Sequence, residues 1–263
     1  MIQFNFNRFG KLAKWSLTND RSYYVRGFMQ VLVILTLIYV GFTTNFLKFT
    51  INGSSNPYLQ CSTVTFLLFF ITLIIGPSMM FQSMKGEHDR QTLLVLPASN
   101  FEKYIMRYST WILQIPLYVI AFFAADLLQY LVNGIGGNEQ VMFVTTKMIE
   151  KFGDMGKNLS REPSNLMIFI YVLMFWLHSV YALGATFFRT RKHNWIPTTA
   201  FILMLVMLMI WILPHTLTDP EQRGSSASDM VINTIYVLMV VLNFWLSYRL
   251  FCRQQVIGKL VNV

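Results

Sequence analysis

Six stretches of about twenty apolar residues recur along the chain, at about 28–47, 62–81, 104–132, 166–188, 195–214 and 230–251. About twenty such residues in a helix cover the hydrocarbon core of a bilayer. Inside that core every backbone N–H and C=O must find its partner within the protein, so only helices and closed barrels can cross it. The runs here are continuously apolar and do not alternate, which disfavours a barrel. The composition agrees, with 54% hydrophobic and only 13% charged residues, where soluble domains carry about a quarter charged. The expected fold class is all-α: a polytopic membrane protein of six transmembrane helices with an N-terminal amphipathic interfacial helix. Residues 1–27 form the amphipathic segment, 28–251 the six-helix domain and 252–263 the tail.

A net charge of +9 raises nucleic-acid binding as an alternative, but the basic residues lie at the ends of apolar runs, where they orient a protein in the membrane. One face collects Arg8, Lys11, Lys14, Arg21 and Arg26 before the first run. It also collects Lys85, Arg90, Lys103 and Arg107 around the second loop, Arg189, Arg191 and Lys192 in the fourth, and Arg249, Arg253 and Lys259 at the C-terminus. The other face holds Lys48, Arg223 and a long third loop whose Lys147, Lys151, Lys157 and Arg161 are balanced by Glu139, Glu150, Asp154 and Glu162. The asymmetry places both termini and the second loop in the cytoplasm. No cleavable signal peptide is expected, because the first apolar run follows a long basic stretch. Cys61 and Cys252 then fall on opposite sides of the membrane, and no C-x-x-C spacing occurs.

Two amphipathic stretches flank the runs. In the first, Phe9, Leu12 and Ala13 recur at helical spacing among Arg8, Lys11, Lys14 and Trp15, the pattern of a helix lying in the cytoplasmic interface, with Trp15, Tyr23 and Tyr24 at headgroup depth. In the third loop, after Gly134, Gly136 and Gly137, the residues Val141, Val144, Met148, Ile149 and Phe152 share one helical face, predicting a short extracytoplasmic helix. Prolines mark expected kinks in the long runs: Gly76-Pro77 ends the second, Pro116 lies in the third and Pro197 opens the fifth.

The polar segment 85–107 has internal order. A charged cluster (Lys85, Glu87, His88, Asp89, Arg90) leads into Leu93-Leu94-Val95-Leu96, and Pro97 stops that run. Ser99 and Glu102 then have the S-x-x-E spacing of a capping box. The segment therefore reads as short helix, stop, new helix. By itself it is an ordinary cytoplasmic connector with a good N-cap. The run Glu87, Thr92, Leu93, Leu96, Pro97, Ser99, Glu102, Lys103 also resembles the cytoplasmic loop of ABC-2 type transporter permeases, in which a glutamate precedes Gly-Thr-Leu-Glu, an apolar pair, Thr-Pro-x-Ser and a further acid. It departs from that pattern at Gln91, Val95 and Leu96. The polar 215–229 loop offers little apolar material for the re-entrant element common in that family.

The resemblance implies a permease subunit in the cell inner membrane of a bacterium, paired with a second copy or paralogue and driven by a separate ABC ATPase, with export as the direction. Glu87, Arg90, Thr92, Leu93, Leu94, Leu96, Pro97, Ser99 and Glu102 would form the coupling helix that docks into the ATPase. This chain would carry no cofactor, since ATP and magnesium would sit on the partner; no G-x-x-x-x-G-K-[ST] occurs in it. Polar residues within the runs are the remaining candidates: Asp126 in the third, His178 in the fourth and Asn243 in the sixth. They line a path or carry a proton, or else they bind helix to helix. No H-E-x-x-H or G-x-S-x-G accompanies them, so neither a zinc protease nor a serine hydrolase is indicated, and no catalytic or metal residue is expected. A membrane scaffold or sensor subunit, its loop recruiting another partner, is the alternative from a different class.

Overall fold

The computed structural model describes residues 4–44, 46, 56–84, 91–93, 95–137, 141–159, 164–188, 193–216 and 226–253. All regular structure among them is helical: α1 Phe6–Asn19, α2 Arg21–Thr43, α3 Pro57–Ile75 with a 3₁₀ turn Gly76–Met79, α4 Asn100–Ile112, α5 Gln114–Ile135, α6 Val144–Leu159, α7 Ser164–Phe187, α8 Trp195–Thr216 and α9 Ser226–Cys252. Among these residues five helical stretches are long and apolar enough to cross a membrane: Arg21–Thr43, Pro57–Met79, Asn100–Ile135, Met167–Phe187 and Met230–Cys252. They are the makings of a multi-pass membrane protein. The stretch expected as a fifth crossing lies in α8, Trp195–Thr216, whose sequence is apolar as far as Pro214.

Helices break at two of the three expected prolines, while Pro197 sits in the unbroken first turn of α8. Pro77 ends α3 and opens the 3₁₀ turn. The third run divides into α4 and α5 at Leu113. Pro116, in the first turn of α5, has no N–H to give back to the carbonyl four residues earlier. The C-terminus of α5 closes on glycine. The Gly136 N–H donates to the Val132 carbonyl, and Gly137 takes a positive φ of 71°, a conformation that costs a side-chain-bearing residue.

The chain forms two compact units, one of Met1–Ser16, Leu73–Trp111 and Pro163–Val263, the other of Leu17–Thr72 and Ile112–Glu162. In the second, α2 packs on α5, where Ala121 and Ala125 are fully buried four residues apart. Small residues at that spacing let helices approach closely. Leu35, Tyr39 and Phe42 of α2 meet Tyr58 and Cys61 of α3, Tyr118 and Phe122 of α5, and Val144 of α6. Two tyrosines converge on Thr65: the Tyr39 hydroxyl pairs with its Oγ1 at 2.6 Å, and the Tyr118 hydroxyl donates to its carbonyl at 3.0 Å. The third-loop helix forms where the pattern places it. Its stripe divides, however, with Val144 buried and Met148 against the core while Ile149 and Phe152 stay exposed.

In the first unit, α7 is the central element, packing against α9, α8 and the 3₁₀ turn. Ser179, Ala182 and Thr186 are buried on α7, and Asn243 and Ser247 on α9. Asn243 Nδ2 donates to Ser179 Oγ at 3.0 Å, and Ser247 Oγ donates to the Ala182 carbonyl at 3.1 Å. A second cluster gathers Leu12 of α1, Met80, Phe81, Met84, Leu93, Ala98, Tyr104 and Met106, Ala185 of α7 and Phe251 of α9, with Phe9 and Trp15 packed on it. Part of the apolar stripe of α1 thus meets protein, with Leu12 buried and Phe9 and Trp15 half-buried.

Candidate functional site

The polar segment is described from Gln91 on, apart from residue 94. Residues 91–93 and 95 are helical, and the Leu96 N–H closes the turn on the Thr92 carbonyl at 3.2 Å. Pro97 and Ala98 then form a bend, as a residue with fixed φ and no N–H requires. The capping box is fully made: the Glu102 N–H donates to Ser99 Oγ at 3.2 Å, and the Ser99 N–H donates to Glu102 Oε2 at 2.7 Å. Glu102 does more than cap. Its buried carboxylate also accepts the Asn5 N–H at 2.7 Å and a two-pronged contact from Arg8, with Nε at 2.9 Å and Nη2 at 2.7 Å. Charge-assisted pairs of this fork geometry are the strong ones. Glu102 in turn holds the Arg8 guanidinium above its ordinary pKa, chiefly through these hydrogen bonds.

The positions predicted for partner contact therefore differ in orientation. Leu93 is wholly buried among Met80, Met84, Tyr104 and their neighbours, and Glu102 points inward. These two brace the segment. Thr92 and Pro97 are exposed, Leu96 and Ser99 are half-buried, and Val95 is 82% exposed. With Gln91, the residues Thr92, Val95, Leu96 and Pro97 line an open cavity of about 400 Å³. Glu87, Arg90 and Leu94 lie outside the described residues.

His178 and Asn243 also belong to this unit. Asn243 ties α9 to α7, as described. His178 reaches two groups: its Nδ1 lies 2.8 Å from the Leu73 carbonyl, and its Nε2 lies 2.6 Å from the Tyr108 hydroxyl. A carbonyl only accepts, so Nδ1 carries a proton. In the neutral ring Nε2 is then the acceptor, and Tyr108 donates to it. Trp111 packs against the imidazole with ring centres 4.9 Å apart. The same indole lies against Gly76, where an added Cβ would come within 2.9 Å of it.

Asp126 sits in the second unit as a helix cap. Its Oδ1 accepts the Val144 N–H at 2.8 Å, and its Oδ2 accepts the Thr145 N–H at 2.9 Å together with the Thr145 hydroxyl. Two orphan amides at the start of α6 are satisfied this way, where a carboxylate also meets the positive end of the helix dipole. Gln129 donates to Asp126 Oδ1 at 3.1 Å, and Asn133 donates to Gln129 Oε1 and Thr43 Oγ1, both at 2.8 Å. Nearby on α6, Lys151 donates to Thr63 at 2.6 Å, and burial pulls its ammonium below the ordinary lysine pKa.

Sequence reasoning missed Arg8 as the partner of Glu102, Tyr108 as the partner of His178, and the Gln129–Asn133 extension of Asp126. Only the last had a signal, since positions 126, 129 and 133 share one helical face. Among the described residues no group of three or more His, Cys, Asp or Glu side chains is placed to hold a metal ion. No family model, no curated protein and no solved structure matches this chain.

Proposed function

We propose that this chain is the transmembrane permease subunit of an ATP-driven ABC-2 type transporter, working as an exporter in the cytoplasmic membrane. In this reading six crossings place both termini in the cytoplasm, α1 lies along the membrane surface, and a second permease copy or paralogue completes the pathway. ATP and magnesium are bound and used by a separate ABC ATPase.

The observation that supports the reading best is the construction of the turn at 91–97. Leu93 is sunk in the core, and the Ser99–Glu102 box with Arg8 clamps the start of α4. Val95 and Pro97 lie exposed between these braces, and Gln91 and Thr92 lie exposed just before them, around an open cavity. A short turn that presents Val95 and Pro97 between polar residues is what a partner groove can grip. Asp126, His178 and Asn243 each have a structural partner, so this reading assigns none of them to a transport path.

The test is affinity purification from the native membrane in mild detergent, followed by identification of what co-purifies. Wild type should retain a stoichiometric P-loop protein. Val95→Glu, at a position already exposed, should fold normally and lose it. Purification alone, or with a partner that has no nucleotide-binding motif, would replace the transporter with the scaffold or sensor reading.

A further inference from the structure

An α-helix passes each carbonyl to the N–H four residues on. At Leu73 that N–H would belong to residue 77, which is proline and has none. His178 Nδ1 lies 2.8 Å from this carbonyl. The imidazole thus meets, from a different helix, the carbonyl whose i+4 donor proline lacks. Its other nitrogen is bound to Tyr108, on α4, at 2.6 Å. The 3₁₀ turn that follows Leu73 and the helix that carries Tyr108 belong to the same unit. One imidazole holds both.

We propose that His178 is a latch beside Pro77: its Nδ1–H replaces the hydrogen bond that proline removes, and so holds the last turn of α3, from Leu73 on, and the 3₁₀ turn after it against α7. Three contacts within the same unit agree with a clamped joint. Trp111 closes on Gly76 from α4, Arg107 Nη1 donates to Ser83 Oγ at 3.0 Å, and Trp111 and Phe244 flank the imidazole, with ring centres 4.9 and 6.4 Å away. The latch is a positioning device and stands whether or not the chain is a transporter. In the transport reading, it would be the point at which movement of the docking segment reaches α7.

The test is a double-mutant cycle on the full chain in detergent or lipid. His178→Phe keeps an aromatic ring but removes the donor. It should lower the unfolding midpoint by several degrees and speed amide exchange across 78–84 by about tenfold or more. Pro77→Ala returns a main-chain N–H to Leu73, so it should suppress most of the exchange defect when added to His178→Phe. A role in packing alone gives two independent losses that add, and that result would overturn the proposal. Imidazole nitrogen NMR on wild type serves as a second measurement that needs no variant. A proton on Nδ1 supports the latch, and a neutral ring protonated at Nε2 alone sinks it.

Discussion

A carboxylate survives in apolar surroundings when its oxygens are occupied, and Asp126 meets donors on both: two backbone amides, a hydroxyl and a carboxamide. The arrangement gives Asp126 a job in folding. Asp126→Asn keeps the size of the side chain but points an NH₂ at groups that are themselves donors. The expected loss is about 1–3 kcal/mol, the usual cost of stranding a buried polar group. It should be seen as a lower unfolding midpoint in detergent and faster exchange of the Val144 and Thr145 amides. An unchanged midpoint and unchanged exchange would return Asp126 to the candidates for a transported proton or ion. At this scale the sequence was legible where one local rule decides the contact. The S-x-x-E spacing of Ser99 and Glu102 required no knowledge of the fold, because both partners lie within one turn. Arg8 was not legible, because it meets Glu102 only after 94 residues of chain have folded. His178 and Leu73 pair for a reason present in the sequence, the proline at position 77, but nothing in the sequence says which side chain arrives there.

Elements were easier to read than contacts because hydrophobic length and proline act locally. The apolar runs became helices, Pro77 and Pro116 broke them, and Gly136–Gly137 ended α5. Faces were harder. An apolar stripe on a helix reports that something covers it, and does not distinguish lipid from protein. Phe9, Leu12 and Trp15 had the composition of an interfacial anchor, and they pack on the core formed by Met80, Leu93 and Phe251. Close helix approach was equally hidden. Gly184 on α7 looks like any glycine in a membrane helix, yet a Cβ there would run into the side chain of Thr198 on α8. Gly184→Ala should therefore cost about 1–3 kcal/mol through overpacking. Gly10→Ala, in α1 with nothing near the added carbon, should instead gain about 0.4–1 kcal/mol by restricting the unfolded chain. Thermal unfolding of the two variants side by side tests the contact: equal and small effects would mean that α7 and α8 do not approach so closely.

For the molecule as a whole, the number of crossings decides what the 91–97 turn can meet. Five helical stretches qualify as spans among the described residues, and α8 is the sixth candidate. Parity makes the question measurable. With six crossings the N- and C-termini share a side; with five they are opposed. The basic residues around the second loop and at both ends favour six, with the termini and the turn inside. Single cysteines can report this. Cys252 is exposed at the end of α9, and Cys61 is buried, so Cys252 is one natural probe. In a Cys252→Ser background, Lys14→Cys places a probe on α1 and Lys151→Cys one on α6. A membrane-impermeant maleimide applied to intact cells should label Lys151→Cys alone. Lys14→Cys and native Cys252 should label only after the membrane is opened. If Cys252 instead reacts from outside while Lys14→Cys stays protected, α8 does not cross, the count is five, and the second loop still faces the cytoplasm. If Lys14→Cys reacts from outside, the turn at Val95 faces away from any cytoplasmic ATPase, and the proposed docking site is wrong whatever its shape.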